Sequence, residues 1–316
     1  MAKQDLNTSL PVCLFFFNRP NLVHKCLDSI SKSSESFDIN LYIFIDGPRN
    51  KEDNILIEET IEKINSFDFK NFKKISIKKN KENKGLASSI ISGVDEVMKK
   101  YGRVIVIEDD LEVTNSFMPY MAAALKKYEN QKDIGSISGF SFAIRADSNE
   151  DAYFHPRPNS WGWATWGDRW NSVNWEVDEN YLNEIGYSKK SFNELGKDMD
   201  RMLQGYIKRK IDSWAIRWAL HHWKSNWVAL APYKSRVINK GFGNEKATNT
   251  FIKNNFHVKL DTSNNNECFK FPASNYVMPR NLRIVNKYNS NMIRLFQRIL
   301  PSPLWNFVSK KIYEYY

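Results

Sequence analysis

Cysteine is scarce: Cys13, Cys26 and Cys268 are the three that occur in 316 residues. They are odd in number, far apart and outside any CxxC spacing, so neither a disulfide framework nor a thiolate zinc site is indicated. Packing roles in a reducing cytoplasm are expected for all three. Long apolar runs are missing as well. Residues Met1 to Ser9 are polar, with no apolar segment for a signal peptide or anchor, and no stretch reaches the roughly 20 apolar residues of a membrane-crossing helix. A soluble or peripheral protein is expected. No Gly-rich phosphate loop stands early in the chain, no internal repeat recurs and no low-complexity linker divides it. The net charge is +10, yet no recognition-helix or RNA-binding signature accompanies it. The lysines are spread through Asn/Lys-rich segments such as Lys78 to Lys84, which favours attraction to an anionic surface over nucleic acid.

What is present is a regular alternation. Pro11 to Phe17 is an apolar run of strand length ended by Asn18-Arg19-Pro20, and Leu22, Cys26, Leu27 and Ile30 then recur at helical spacing, with Asn21 as the expected N-cap. Asn40 to Ile45 predicts a second strand, ended by Asp46-Gly47-Pro48, and Glu52 to Asn65 a second helix. The alternating Lys73 to Lys79 reads as an edge strand, and Asn83-Lys84-Gly85 leads into a helix from Ser88 to Lys100. Next, Val104-Ile105-Val106-Ile107 reads as a strand covered on both faces, and it ends in Glu108-Asp109-Asp110. Strand and helix in alternation are the grammar of a parallel sheet with right-handed crossovers, so an α/β fold is expected. Later elements are a helix over 115–128, a short strand at Ile134 to Phe140, a polar helix over 180–202, an amphipathic helix from Asp212 to Asn226, and a strand at Trp227 to Ala231.

In a parallel sheet the strand ends share one edge, where such sheets bind ligands. Asn18-Arg19, Asp46-Gly47 and Glu108 to Asp110 would then line one crevice. Three adjacent acids repel one another, which raises the pKa of at least one, and a hard cation relieves the repulsion. With no His or Cys nearby, magnesium, manganese or calcium suits the cluster and zinc does not. The plainer alternative is that these acids open a loop or cap a helix. The segment Ser160 to Trp170 pairs glycine with four tryptophans, which form either a sugar-stacking wall with Trp161 and Trp163 on the ligand side, or a small second core. His221 and His222 sit mid-helix among tryptophans and read as packing residues. Residues Asn281 to Tyr316 combine basic and apolar side chains, broken by Pro301 and Pro303. That composition suits both a basic amphipathic tail on an anionic membrane and a terminal helix docked on the domain.

FFFNRP at 15–20, IFIDG at 43–47, NKGLA at 83–87, VIVIEDDLEV at 104–113 and DSWAIRW at 212–218 together resemble the GT-A glycosyltransferases. The likeness is to the family-2-type bacterial sugar transferases and the eukaryotic β-1,2-N-acetylglucosaminyltransferase I group. It implies a mixed, mostly parallel Rossmann-like sheet flanked by helices, with a Trp-rich acceptor-side region and a helical tail. Residues 1–150 would be the nucleotide-sugar half, 151–280 the acceptor-binding and catalytic half of the same domain, and 281–316 the tail. The resemblance further implies a UDP-sugar donor, UDP-GlcNAc among the candidates, with Mn2+ or Mg2+ held through its pyrophosphate. On that basis Asp46 hydrogen-bonds the base, Asn18 and Arg19 lie near ribose or phosphates, Glu108 and Asp109 touch donor sugar and ribose, and Asp110 holds the metal.

Asp212 is the candidate base for inverting transfer, since an alcohol is a poor nucleophile while it keeps its proton; a plain N-cap role is the alternative. Lys84 either adds positive charge or is a solvated loop lysine, and Gly85 supplies backbone freedom. The loop Lys240 to Thr250 would close over the donor, without a His to serve as a further metal ligand. The expected activity is metal-dependent inverting transfer of a sugar to a hydroxyl of a surface glycan, free or lipid-linked, in bacterial polysaccharide or lipopolysaccharide synthesis. Its expected place is the cytoplasm, with the tail at the inner face of the membrane. The rivals are a sugar-phosphate nucleotidyltransferase and a non-catalytic sugar- or nucleic-acid-binding protein.

Overall fold

The structure, a computed structural model, describes residues 9–35, 37–142, 144–146, 149–241, 260–263, 268–290 and scattered positions between 293 and 308. Strand β1 (Leu10–Phe16) is buried along its whole length and leads through a 3-10 turn (Pro20–Leu22) into α1 (Val23–Ser33). Proline opens that turn, and Leu22 precedes α1 without a side-chain cap, so Asn21 does not cap as expected. Strand β2 (Ile39–Ile45), α2 (Lys51–Asn65), β3 (Lys74–Lys79), α3 (Leu86–Tyr101) and β4 (Arg103–Glu108) follow as the alternation predicts. Asn50 caps α2 by accepting a hydrogen bond from Asp53 N.

After a turn at Asp109-Asp110 come β5 (Leu111–Val113), α4 (Phe117–Tyr128), β6 (Ile134–Ser138), β7 (Ala152–His155), β8 (Trp163–Trp166) and α5 (Gly167–Trp170). The polar stretch expected as one helix over 180–202 is broken instead into α6 (Glu179–Glu184), α7 (Lys189–Phe192) and the start of α8 (Met199–Ile207). Asp178 and Ser188 cap new starts there, and Gly186 sits at positive φ between them. Then come α9 (Trp214–Lys224), β9 (Val228–Pro232), β10 (Val237–Asn239) and α10 (Pro279–Tyr288).

Eight strands form one sheet in the order β3-β2-β1-β4-β8-β6-β9-β7, and β10 pairs with β5 separately. The first four run parallel to one another, β8 is antiparallel to both its neighbours, and β6 is parallel to β9. The lysine-rich β3 takes the edge, where charged side chains blunt unwanted pairing. Because β6 lies between β8 and β9, the sheet runs straight across residue 150. Both sheet faces are covered. Val12, Leu14 and Ile105 point to a core shared with Cys26, Leu27 and Ile57 of α1 and α2, whereas Cys13, Phe15, Val104 and Val106 point to a second core with α3 and α9. The period-two alternation of a strand divides them in this way.

Ile284, Val285 and Tyr288 of α10, with Ile293 and Trp305, join the first core, while Leu295, Phe296, Ile299, Leu304 and Phe307 are exposed. So the described part of the tail docks on the domain and still shows apolar groups. No helix among the described residues is long and apolar enough to cross a membrane.

Candidate active site

The register fixes where the crevice lies. Phe15 stands opposite Glu108 and Phe16 opposite Ile45, so the chain leaves β1, β2 and β4 at nearly one level, and Arg19, Asp46 and Asp109 emerge together. A cavity of about 670 Å³ is lined by Phe17, Arg19, Asp46, Arg49, Asn83, Lys84, Gly85, Glu108, Asp109 and Asp212, among others. A smaller one of about 100 Å³ adjoins it, lined by Arg19, Glu108, Asp110, Trp161, Asp212 and Asn239 among others. Residues almost two hundred positions apart in the chain thus share one crevice.

Arg19 spans the acidic strand end. Its guanidinium lies 2.9 Å from Asp109 Oδ1 and 3.0 Å from Asp110 Oδ2. The turn after β4 breaks the strand's alternation and lets one fork reach both acids. Burial alone would lower the Arg19 pKa, but Asp109, Asp110 and Glu108 more than offset it and the pKa is raised. Burial pushes Glu108 up to about 8, with Asp110 and Asp109 adding to the shift. Asp109 is likewise raised by burial, although Arg19 pulls it down. Its Oδ2 is buried without a hydrogen-bond partner. Carboxylates therefore outnumber cations at this strand end, and the electrostatics favour an added positive charge.

Which metal would suit the cluster follows from its ligands. Among the described residues no group of three or more His, Cys, Asp or Glu converges into a ready-made cage. Magnesium and manganese tolerate that, because they are commonly held by one or two carboxylates plus substrate phosphates. The oxygen-only donor set fits an ion that arrives with a phosphorylated ligand and uses Asp110. Gly241 is packed so closely on Asp110 that a Cβ there would lie 2.5 Å from Oδ2, and Lys240 N donates to the Asp110 backbone oxygen at 2.7 Å. The segment from Lys240 therefore begins against the acid. The rest of the expected closing loop, 242–250, lies outside the described residues.

Asp46 has a different surrounding from the one expected of a base-reading residue. Its Oδ1 accepts from Gly47 N, Asn80 Nδ2 and Lys84 N, and its Oδ2 from Asn83 Nδ2 and Gly85 N, all within 2.9–3.1 Å. The carboxylate is buried and its acceptor capacity is filled by the protein. Asp46 thus clamps the Asn83-Lys84-Gly85 loop into the turn before α3, where Gly85 adopts φ +78°, a conformation that glycine reaches without steric cost. Asn18 is diverted too. It donates to Asp53 Oδ1 at 2.6 Å, and Arg49 grips the same carboxylate through two nitrogens. The Arg49 hydrogen bond leads the effects that hold Asp53 below its ordinary range. Asn18 lines neither cavity and acts as a strut, while Arg49 lies over the Phe17 ring at 4.8 Å on the cavity wall. Arg49 did not stand out in the sequence, and Phe17 entered it only as the last residue of the first apolar run and the third letter of FFFNRP. Lys84 is exposed on the wall.

Asp212 stands across from Gly85; a Cβ built on that glycine would be 3.8 Å from Asp212 Oδ2. It is not the N-cap of α9. Ser213 is, accepting from Ile216 N, and Asp212 is left exposed in the crevice. Arg217 donates to Asp212 Oδ1 at 3.2 Å and is itself fixed on the Ser213 and Trp175 carbonyls. That arginine, the sixth letter of DSWAIRW, orients the acid. The helix start is set in stacked indoles: Trp163 lies 5.0 Å from Trp214 and 5.5 Å from Trp170. Trp163 is 1% exposed, so it faces this core and not a ligand, which corrects the expectation for it. Trp161 does line the small cavity. His221 and His222 pack beside Trp218 and Trp227, as their mid-helix position suggests.

Comparison with known proteins decides the family. The description glycosyl transferase family 2 matches residues 12–196, more than half the chain and the whole acidic edge of the sheet. The chain belongs to glycosyl transferase family 2. No curated protein matches it. Solved structures similar to this family-2 chain include TarS 1–349 from S. aureus, at 9% identity over 74% of this chain and 61% of that one, TM-score 0.41. TarS 1–349 in complex with UDP-GlcNAc aligns at 13% identity over 46% of this chain and 39% of that one, TM-score 0.32. Mannosyltransferase PcManGT from Pyrobaculum calidifontis, in complex with GDP-Man and Mn2+, aligns at 11% identity over 56% and 46%, TM-score 0.34. The chain spans less than two thirds of the length of each. The mixed α/β sheet of this family-2 chain has the arrangement expected of the GT-A fold.

Proposed function

We propose that the crevice transfers a sugar, with inversion, from a nucleotide-sugar donor to a hydroxyl of a glycan acceptor, and that a divalent metal assists. The observation that carries this reading is the convergence of Arg19, Glu108, Asp110 and Asp212 on adjoining cavities. The donor is a UDP-sugar, with UDP-GlcNAc the first to test. Its base lies toward Phe17 and Arg49, and its diphosphate toward Arg19 and Asp110. Asp110 would hold Mn2+ or Mg2+, which when bound supplies charge neutralisation for the departing diphosphate.

Asp212, oriented by Arg217, takes the proton from the acceptor hydroxyl as that oxygen bonds to the sugar C1. The C1–O bond to phosphate breaks and its electron pair leaves with the nucleotide. Exposure keeps Asp212 within reach of an acceptor, and Lys84 adds positive charge at the donor side. Nucleotide release measured with manganese tests the roles. Asp212→Asn should lower kcat by about 10²- to 10⁴-fold with nucleotide affinity kept, the usual range for losing a general base. Asp110→Ala should lose both turnover and metal dependence. Turnover that survives Asp212→Asn removes it as the base.

The setting is a bacterial surface-glycan pathway at the cytoplasmic face of the membrane. The basic sequence of the tail together with its exposed apolar groups suits an anionic surface. Co-sedimentation of the full chain with phosphatidylserine vesicles, weakened by salt, is the expected result; no binding at low salt removes the membrane role.

A further inference from the structure

A second large cavity, of about 780 Å³, also reaches Asp212. It runs between α6 and the end of α8, and shares Lys210, Ile211 and Asp212 with the donor cavity. Both spaces thus border the acid assigned the proton, as they must if one holds the donor and the other the hydroxyl that displaces at C1.

The lining shows what the space can hold. Tyr181 and Tyr206 give two aromatic walls, each steadied by a cation: Lys224 Nζ lies 5.3 Å from the Tyr181 ring centre and Arg217 4.7 Å from that of Tyr206. Arg217 thus touches both the cavity wall and Asp212. Glu176 and Glu184 line the same space, as do Asn174, Asn180, Arg209 and Lys210. Aromatic faces beside carboxylates and amides suit a ring that is apolar on its faces and ringed by hydroxyls. The volume lies in the range of multi-ring ligand sites.

The segment that borders both cavities is set by the end of α8. Arg209 has φ 55°, a left-handed conformation unusual for a residue with a side chain. Lys210 N and Ile211 N both donate to Gly205 O, at 2.9 and 3.3 Å, which turns the chain sharply toward Asp212. With Arg209 N donating to Tyr206 O at 2.8 Å, this is the left-handed closure common at helix C-termini, and it fixes the direction of the chain leading into Asp212.

We propose that this cavity is the acceptor site, and that its occupant is an uncharged oligosaccharide of a few sugar units whose terminal hydroxyl is presented to Asp212. The claim rests on the glycosyl-transfer reading above. The lining sets Glu176, Asp178, Glu184 and Asp212 against Arg209, Lys210 and the neighbouring Arg217, so it presents no field of one sign that would draw a polyanionic acceptor. In the transfer, the acceptor oxygen forms the new bond to C1, its proton goes to Asp212, and the old C1–O electron pair leaves on the nucleotide diphosphate.

The test measures UDP release from UDP-GlcNAc and other UDP-sugars with manganese, alone and with di- to tetrasaccharides of the malto-, chito- and manno- series. Slow release without oligosaccharide is the control for the donor reading, and its absence with every donor refutes that reading itself. With donor hydrolysis present, at least one series should accelerate release. Asn180→Trp and Glu184→Arg, both exposed on the cavity rim, should each raise the KM for that oligosaccharide about tenfold while leaving donor hydrolysis and donor KM within about twofold. Two different rim variants guard against a local folding defect in either. Intact donor hydrolysis with no acceleration by any series overturns the acceptor class, and acceleration with an unchanged oligosaccharide KM in both variants overturns the site.

Discussion

On the donor side of the crevice, one buried carboxylate gathers five hydrogen bonds and thereby shapes the loop that faces the ligand. On the opposite side, Asp212 is exposed and is delivered by a helix whose Trp214 and Trp218 pack on Trp163, with Trp170 against Trp163 and Trp218. The first wall relies on directional polar bonds, each needing its partner in place. The second relies on buried area, which tolerates small shifts but loses much when a large side chain goes. The contrast suits the proposed tasks. A loop that binds a fixed nucleotide gains from defined geometry, whereas an acid that serves acceptors of varied shape needs a firm base and an open tip.

The two walls should therefore fail differently. Trp214→Ala removes a 3% exposed indole stacked on Trp163, and a loss of about 3 to 5 kcal/mol in unfolding free energy is expected for such truncations. Urea unfolding checks it. A loss below about 1 kcal/mol, within the range of ordinary surface changes, would show that α9 is held by something other than the indoles. Asp46→Asn should cost less, about 2 to 4 kcal/mol, because the backbone donors it serves become partly unsatisfied. Its larger signature is a rise in donor KM of at least about tenfold with kcat on bound donor little changed, as expected when a binding loop loses its shape. Donor KM that stays at the wild-type value would return Asp46 to a bystander role and erase the contrast.

The sheet was legible in the sequence because apolar runs and their terminators mark strands directly. Val104 to Ile107 and the turn signals at Asn18-Arg19-Pro20 and Asp46-Gly47-Pro48 place three strand ends on one edge, and the register confirms their common level. Asp212 was legible from DSWAIRW, though not its freedom from capping, since Asp and Ser are both strong N-caps and one position decides between them. The internal hydrogen bonds of Asp46 and Asn18 were not legible, because sequence identifies a carboxylate or an amide but not how many of its polar atoms the fold itself engages. Trp163 and Trp161 show the same gap. They lie two residues apart around Gly162, at φ 58°, so strand alternation no longer places them, and one enters the core while the other reaches the cavity. The cavity beyond Asp212 was hidden for another reason: it depends on a polar stretch breaking into short helices, which composition alone presents as one.

Acid should act on the aromatic wall through a group that the polar wall lacks. His222 is fully buried against Trp218 and Trp227, with Nε2 3.3 Å from Ser136 Oγ and Nδ1 unpartnered. Burial, helped by neighbouring His221, depresses its pKa to about 3. An unfolded histidine titrates near 6.5, so between those values the unfolded chain binds a proton that the folded chain refuses, and stability rises with pH. The contribution is complete above about 6.5 and declines as the pH falls toward 3. At pH 4.5 this single residue should have cost roughly 2 to 3 kcal/mol relative to pH 7.5. His155, also buried and depressed to about 3, adds a parallel loss, and carboxylates such as Asp53 that are held below their ordinary range lose their own share lower down. The informative quantity is therefore the difference between wild type and His222→Gln. Gln keeps a hydrogen-bonding group near Ser136 but does not titrate, so the gap between the two proteins should narrow steadily from pH 7 to pH 4.5 in urea unfolding. A gap that stays constant with pH would mean that His222 is solvated or protonated in the folded chain, and the indole cluster would then be open to water where it is drawn as closed.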